Sequence, residues 1–192
     1  FKPEIVVIAA ALKQVDTCEF APNESLKTNV QGVANVVESC FLLQESLEQL
    51  ECVLMVSTDK ACAPTNVYGM SKALAERLVV SQSRSSKKIR FLGVRYGNVL
   101  DSRGSIVPLF RYQAQFGSAF TVTDKRMTRF LMTLDESIDL IENTLERGIN
   151  GDFWIPRLRS MKIMDLAEIF SSKYGKGISE IGIRAGEKLH ED

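Results

Sequence analysis

The chain has 192 residues, 45% of them hydrophobic, with 24 Lys plus Arg balanced by 24 Asp plus Glu, which is an ordinary globular composition with enough side chains for a sizeable core. The even charge and lack of a basic run give no electrostatic footprint for nucleic acid, and no apolar run approaches the roughly 20 residues of a membrane helix. Cys18, Cys40, Cys52 and Cys62 show no paired short spacing and His190 is the lone histidine, so no metal site is expected, and reduced thiols in a cytoplasmic setting fit best.

Taken in order, Ile5-Val6-Val7-Ile8 is a β-branched run that predicts a central strand. Ala9, Ala10 and Ala11 follow, small enough for a ligand or a packed helix to approach the backbone. Pro22 to Ser25 read as a turn and cap. A helix is expected over 26–43, with Leu26, Val30, Val33, Val36, Val37 and Cys40 on one side. Gly32 inside it costs about 1 kcal/mol against alanine, which close contact with a neighbour would explain.

The short apolar run 53–56 predicts a buried strand. Ser57, Thr58, Asp59 and Lys60 stand at its carboxyl end, where open α/β sheets bind ligands. Pro64 marks a loop, and Asn66 is placed to cap a helix that carries Tyr68 and Lys72 on one face. Leu74, Ala75, Leu78 and Val79 continue that helix, and 81–88 reads as a solvated loop. A strand over 89–96 leads into Gly97 to Gly104, a ligand-type loop containing Asn98. The stretch 105–115 reads as a strand end and a helix broken by Pro108, and 121–123 as a short strand. Arg126 and Arg129 fall in a loop, and arginine forks suit diphosphate oxygens. A helix over 134–147 is expected to bury Leu134, Ile138, Ile141 and Leu145, ending at Gly148. Then come a strand over 152–155, a helix over 164–174 ended by Gly175, and a last strand over 178–183.

The central stretch carries chemistry. A phenol titrating near 10 is a poor base at neutral pH. An ammonium one helical turn away favours the phenolate and lowers that value. Tyr68 so tuned can take a proton from a sugar hydroxyl, while Asp59 and Lys60 offer an acid and a base at the same strand end. The plainer reading makes Tyr68 a packing residue and the rest ordinary charges. The conjunction with Ser-Thr-Asp-Lys favours catalysis.

Several pieces recur in a known order: Ala9 to Lys13, Thr28 to Gly32, Ser57 to Ala61, Tyr68 to Lys72, Val94 to Gly104, Arg126 to Phe130 and Gly186 to Glu191. They resemble the extended short-chain dehydrogenase/reductase superfamily, and within it the UDP-N-acetylglucosamine 4,6-dehydratases of bacterial surface-polysaccharide and flagellin-glycan pathways. The resemblance implies part of a Rossmann-like, doubly wound parallel α/β sheet over 1–104, including the catalytic motif. A smaller substrate-binding region would occupy 105–192, with segments returning to the first domain. It implies NADP or NAD as cofactor, a UDP-sugar substrate, a cytoplasmic enzyme and a homo-oligomer. Thr58, Asp59, Lys60, Tyr68 and Lys72 would be catalytic. Ala9, Ala10, Ala11 and Tyr96, with Tyr68 and Lys72, would lie along the cofactor. Lys13, Asn98, Arg126, Arg129, Arg184 and Glu187 would serve the substrate. Asn29 resembles the asparagine that supports the active-site backbone.

Asp59-Lys60 argues against a plain 4-epimerase on the same fold. Tyr68, where retaining relatives tend to place Met, points to inversion at carbon 5. A non-catalytic relative is the third alternative, and retention of the catalytic-type residues argues against it. No Gly-x-Gly-x-x-Gly follows any strand. The resemblance therefore implies a segment that starts at the fourth strand of the sheet, is cut at both ends, exposes a sheet edge and is inactive alone.

Overall fold

The computed structural model describes residues 2–192. Strands β1 (Ile5–Ile8), β2 (Cys52–Thr58), β3 (Arg90–Tyr96) and β7 (Phe153–Trp154) form one all-parallel sheet in the order β1-β2-β3-β7. Parallel neighbours require crossovers. Between β1 and β2 these are α1 (Val15–Phe20), α2 (Pro22–Ser25), a π-helical turn (Leu26–Gln31) and α3 (Gly32–Leu42). Between β2 and β3 the crossover is a 3₁₀ turn (Asp59–Ala61) and α4 (Val67–Ser85).

The strands show no polar alternation because both faces are covered. Val53, Met55 and Phe91 pack against Val33, Val37 and Cys40 of α3 and Ala75 and Val79 of α4. Cys52, Leu54, Leu92 and Val94 pack on the other side against α6 (Leu134–Arg147) and Trp154. β1, expected to be central, is an edge strand here, with Ile5 and Val7 each 45% exposed. Those two side chains point away from the layer that covers Val6 and Ile8.

A second region holds a three-stranded sheet, β4 (Asn98–Val99), β6 (Thr128–Met132) and β8 (Arg159–Lys162), and a parallel pair, β5 (Ala119–Val122) with β9 (Gly177–Glu180). Helices α5 (Ile106–Phe116) and α7 (Ile163–Tyr174) close over Phe120. Phe110 meets Phe120 and Phe170 edge-on, with centroids 5.4 Å apart in both pairs, the favoured aromatic geometry.

Several sequence expectations change. Pro22 opens a helix instead of a turn, as suits a residue with no N–H to satisfy at that position. The helix expected over 26–43 begins as a wide π-turn, and Leu26 is 48% exposed while Asn29 is fully buried. The polar tail 81–85 stays helical because Asn150 Nδ2 donates to the carbonyls of Ser83 at 2.8 Å and Ser86 at 3.2 Å. Pro108 does not break α5, since it sits in the first turn where no intrahelical donor is lost. Arg129 is in strand β6, not a loop. On α6 the buried positions are Ser137 and Thr144, whereas Leu134 is 62% exposed and Ile138 44%. The two hydroxyls bond their own helix, to Leu134 O at 2.6 Å and Leu140 O at 2.7 Å, and so present an effectively apolar face.

Candidate active site

β2 delivers Thr58 to the carboxyl edge of the sheet, and the chain then tightens into the Asp59–Ala61 turn. Thr58 Oγ1 accepts from Lys60 N at 3.4 Å and donates to Asp59 Oδ1 at 3.0 Å. Asn66 caps α4 as expected, its Oδ1 accepting from Gly69 N at 2.7 Å. Gly69 has no side chain for a positional reason: a Cβ there would overlap Lys60 O. The first turn of α4 thus lies directly on the Asp59–Lys60 turn.

Tyr68, Lys72 and Glu76 follow at intervals of four and are all buried, so they share one face of α4. Burial pushes the Tyr68 phenol up to about 12, opposed by the Thr58 hydroxyl and reinforced by the Asp59 carboxylate. The expected lowering by Lys72 is not seen: Lys72 Nζ donates to Val56 O at 2.7 Å, anchoring it to the strand. Burial lowers Lys72 to about 8, against the pull of Glu76. Glu76 in turn accepts from Ser57 Oγ at 2.5 Å and from Arg95 Nε and Nη2 at 2.9 and 2.7 Å. Below them, buried Asn29 bonds Leu12 N, Leu12 O and Ser71 Oγ at 2.8 to 3.0 Å, tying the segment after β1 to α4.

A cleft of about 530 Å³ opens over this edge. Ala9, Ala11, Lys13, Thr58, Lys60, Tyr68, Lys72, Tyr96, Asn98, Arg129, Arg184 and Glu187 line it. Asp59 is buried behind Lys60 and is not among the lining residues, its Oδ1 3.0 Å from Lys60 Nζ. Ala10 is exposed and outside the lining. Arg126 is also outside, its guanidinium paired with Asp124 at 2.7 Å. Arg129 lines the cleft, but its guanidinium holds the carbonyls of Thr128, Lys188 and Leu189. An adjoining cavity of about 220 Å³ shares Asn98, Arg129, Arg184 and Glu187 with the cleft. Among the described residues no group of three His, Cys, Asp or Glu side chains could hold a metal.

The cleft fits the nicotinamide end of a dinucleotide. Ala9 and Ala11 leave its floor free of side chains beyond Cβ. Lys72 spends one ammonium donor on Val56 O and has two left for vicinal ribose hydroxyls. Asn98 Oδ1 is buried without a partner. Sequence reasoning assigned no role to Glu76 or Glu191. The spacing 68, 72, 76 could have flagged the first. Glu191 closes the Gly186 to Glu191 piece of the resemblance, but its sequence position does not reveal that its side chain lies 3.3 Å from Lys60.

A family model described as "Polysaccharide biosynthesis protein" matches residues 1–192. The chain is 41% identical over 191 residues to an inverting UDP-N-acetylglucosamine 4,6-dehydratase of Campylobacter jejuni, covering 98% of this chain and 55% of that one. It is 43% identical over 194 residues to a protein of Rickettsia typhi named UDP-glucose 4-epimerase, again covering 98% and 55%. The chain thus spans about half the length of these relatives. The crystal structure of Pen from Bacillus thuringiensis superposes with a TM-score of 0.90 at 36% identity, over 97% of this chain and 59% of that one. More distant structures with the same fold, at 19% and 18% identity, are a dTDP-glucose 4,6-dehydratase and a UDP-glucose 4-epimerase, both determined with NAD.

Proposed function

This chain belongs to the polysaccharide biosynthesis protein family, within the extended short-chain dehydrogenase/reductases, and from that premise we propose that it carries the catalytic part of an NAD(P)-dependent enzyme that dehydrates UDP-N-acetylglucosamine across carbons 5 and 6 with inversion at carbon 5. The observation that carries the reading is the Asp59–Lys60 contact at 3.0 Å, with Lys60 lining the cleft beside buried Tyr68 and Asp59 directly behind it. An acid and a base in contact are what an elimination needs and a simple 4-epimerisation does not.

Tyr68 takes the proton of the 4-hydroxyl, and the Thr58 hydroxyl holds the 4-oxygen. Lys72, Tyr96, Ala9 and Ala11 would hold an oxidised nicotinamide, which would supply a hydride acceptor for carbon 4, a donor for carbon 6 and a positive charge beside Tyr68. Any positive charge there lowers the phenol from about 12 by Coulomb attraction. The 4-ketone acidifies the carbon-5 hydrogen, which Lys60 removes. Asp59 gives a proton to the departing 6-hydroxyl. Once hydride has reached carbon 6, the enolate takes a solvent-exchangeable proton on the opposite face of carbon 5, balancing the one Tyr68 removed from the 4-hydroxyl. Arg184, Glu187, Asn98 and Lys13 are assigned to the nucleotide sugar, and residues 105–192 supply most of its site. Arg126 is left out of that set because it lines neither cavity and is paired with Asp124. No helix among the described residues is long and apolar enough to cross a membrane, and a UDP-sugar substrate supports a reaction in the cytoplasm.

A second reading, 4-epimerisation, is supported by the 43% identity to the Rickettsia typhi protein. Incubating the whole protein with UDP-N-acetylglucosamine in heavy water separates the two. The dehydratase gives a 4-keto-6-deoxy product with deuterium at carbon 5. A 4-epimer without that deuterium refutes the dehydratase reading.

A further inference from the structure

Residues 184–192 cross the mouth of the cleft as a strap. Gly186 turns it with φ of 77° and lies against Asn66, whose Nδ2 donates to Gly186 O at 2.7 Å. Lys188 Nζ donates to Cys62 O at 2.9 Å, and Arg129 Nη2 to Lys188 O at 2.9 Å. Thr128 N donates to Leu189 O at 3.1 Å. These bonds direct Glu191 inward, leaving its side chain 2% exposed with Oε1 3.3 Å from Lys60 Nζ.

Lys60 therefore sits between two carboxylates, Asp59 on its own turn and Glu191 on the strap. One ammonium neutralises one carboxylate. The second oxygen of each acid, Asp59 Oδ2 and Glu191 Oε2, is buried without a hydrogen-bond partner. A structural ion pair normally satisfies such oxygens, because leaving them bare is costly. The other charged or titratable groups nearby are Lys188, 4.0 Å from Glu191 Oε2, and His190 and Asp192 on the same strap. The arrangement has one more proton site than a simple acid–base pair requires.

We infer that Glu191 is a positioning residue behind Lys60 that holds and exchanges a proton with it, making a three-member acid–base relay with Asp59. The inference rests on the dehydratase reading. Glu191 takes a proton from the Lys60 ammonium: an N–H bond breaks, its pair stays on nitrogen, and an O–H bond forms. Neutral Lys60 then removes the carbon-5 proton, and the C–H pair passes into the enolate of the 4-ketone. Asp59 gives its proton to the 6-hydroxyl, which leaves as water with the C–O pair. One proton passed from Lys60 to Asp59, and one from Glu191 to Lys60, restores the starting state.

The test uses Glu191→Gln and Glu191→Asp in the whole protein with UDP-N-acetylglucosamine in heavy water. Two steps are followed, nicotinamide absorbance for oxidation at carbon 4 and deuterium entry at carbon 5. E191Q is expected to slow carbon-5 exchange by about a hundredfold, the usual scale for losing a proton-transfer group, and to change the pH profile of that step. Oxidation at carbon 4 should stay within about threefold, and E191D should recover part of the exchange. Carbon-5 exchange by E191Q within about twofold of wild type overturns the inference. So does an equal loss of both steps in E191Q and E191D, which marks a purely structural role. A wild-type protein that never exchanges carbon 5 refutes the dehydratase reading instead, and that result is read before any variant is made.

Discussion

Replacing Glu76 with alanine empties the centre of a buried contact that joins three elements. Glu76 binds Arg95 of β3 through two bonds of 2.7 and 2.9 Å and Ser57 of β2 through one of 2.5 Å. Removing one partner of a buried pair costs about 3–5 kcal/mol. Arg95 retains 22% side-chain exposure, so water reaches it and the low end applies. The Ser57 hydroxyl loses its acceptor in a residue only 4% exposed, which adds about 1 kcal/mol. The contributions overlap, and a net loss of about 3 kcal/mol is expected, or about 6–12 °C in Tm for a chain of this size. Glu76→Gln keeps one acceptor oxygen and should lose about half as much. Both variants also remove the charge that opposes the lowering of Lys72, so its ammonium should titrate below about 8. Urea and thermal unfolding measure the first effect, and the pH dependence of nicotinamide reduction the second. An E76A protein within about 1 kcal/mol of wild type, well below the low end of the cost of breaking a buried pair, would refute the argument. So would an E76Q protein as damaged as E76A.

Two further outcomes follow from the same region. Gly69→Ala improves helix propensity by about 1 kcal/mol, yet its Cβ would overlap Lys60 O. It should destabilise by about 1–3 kcal/mol and displace Lys60; an unchanged Tm with full activity would show that the turn does not rest on α4. Lys72 titrates near 8 when folded against an ordinary 10.5, so below pH 8 both states are protonated and the burial penalty is complete. Between about pH 8 and 10.5 the unfolded chain binds more protons, and stability rises with pH. Tyr68, raised to about 12, reverses the trend above pH 10, where the unfolded phenol ionises first. The gain from pH 8 to 10 should be on the order of 2 kcal/mol and should vanish in Lys72→Met; equal slopes in the two proteins would sink the assignment.

The catalytic stretch was legible because its information is local. A four-residue apolar run, a polar strand end, a capping asparagine and a Tyr-x-x-x-Lys spacing need no distant partner to be read. Each corresponds to an observed element: β2, the 3₁₀ turn, the Asn66 cap and the shared face of α4. The misread stretches failed where a side chain satisfies a group outside its own segment, or disguises its own polarity. The tail of α4 looks like a solvated loop until Asn150, 67 positions away from Ser83, supplies its donors. α6 looks as though Leu134 should be inside until Ser137 and Thr144 turn their hydroxyls back onto the helix.

The π-turn at Leu26–Gln31 shows how a periodicity argument goes wrong by a small angle with a chemical consequence. An α-helix repeats every 3.6 residues, so positions four apart drift around the axis. A π-turn closes its bonds one residue later and widens the repeat. Ser25, Asn29, Val33 and Val37, each four apart, are buried together, as the wider turn permits. Assuming 3.6 throughout puts Leu26 and Val30 inward, and the inward place of Asn29 then rests on the resemblance alone. With the wider turn, Asn29 points inward instead, and its amide reaches Leu12 and Ser71. Ser71 Oγ donates to Tyr68 O at 2.8 Å. The irregular turn therefore connects the segment after β1 to the backbone of the Tyr68 helix, and the local cost of the π geometry is offset by an active-site face that a regular helix would leave unsupported.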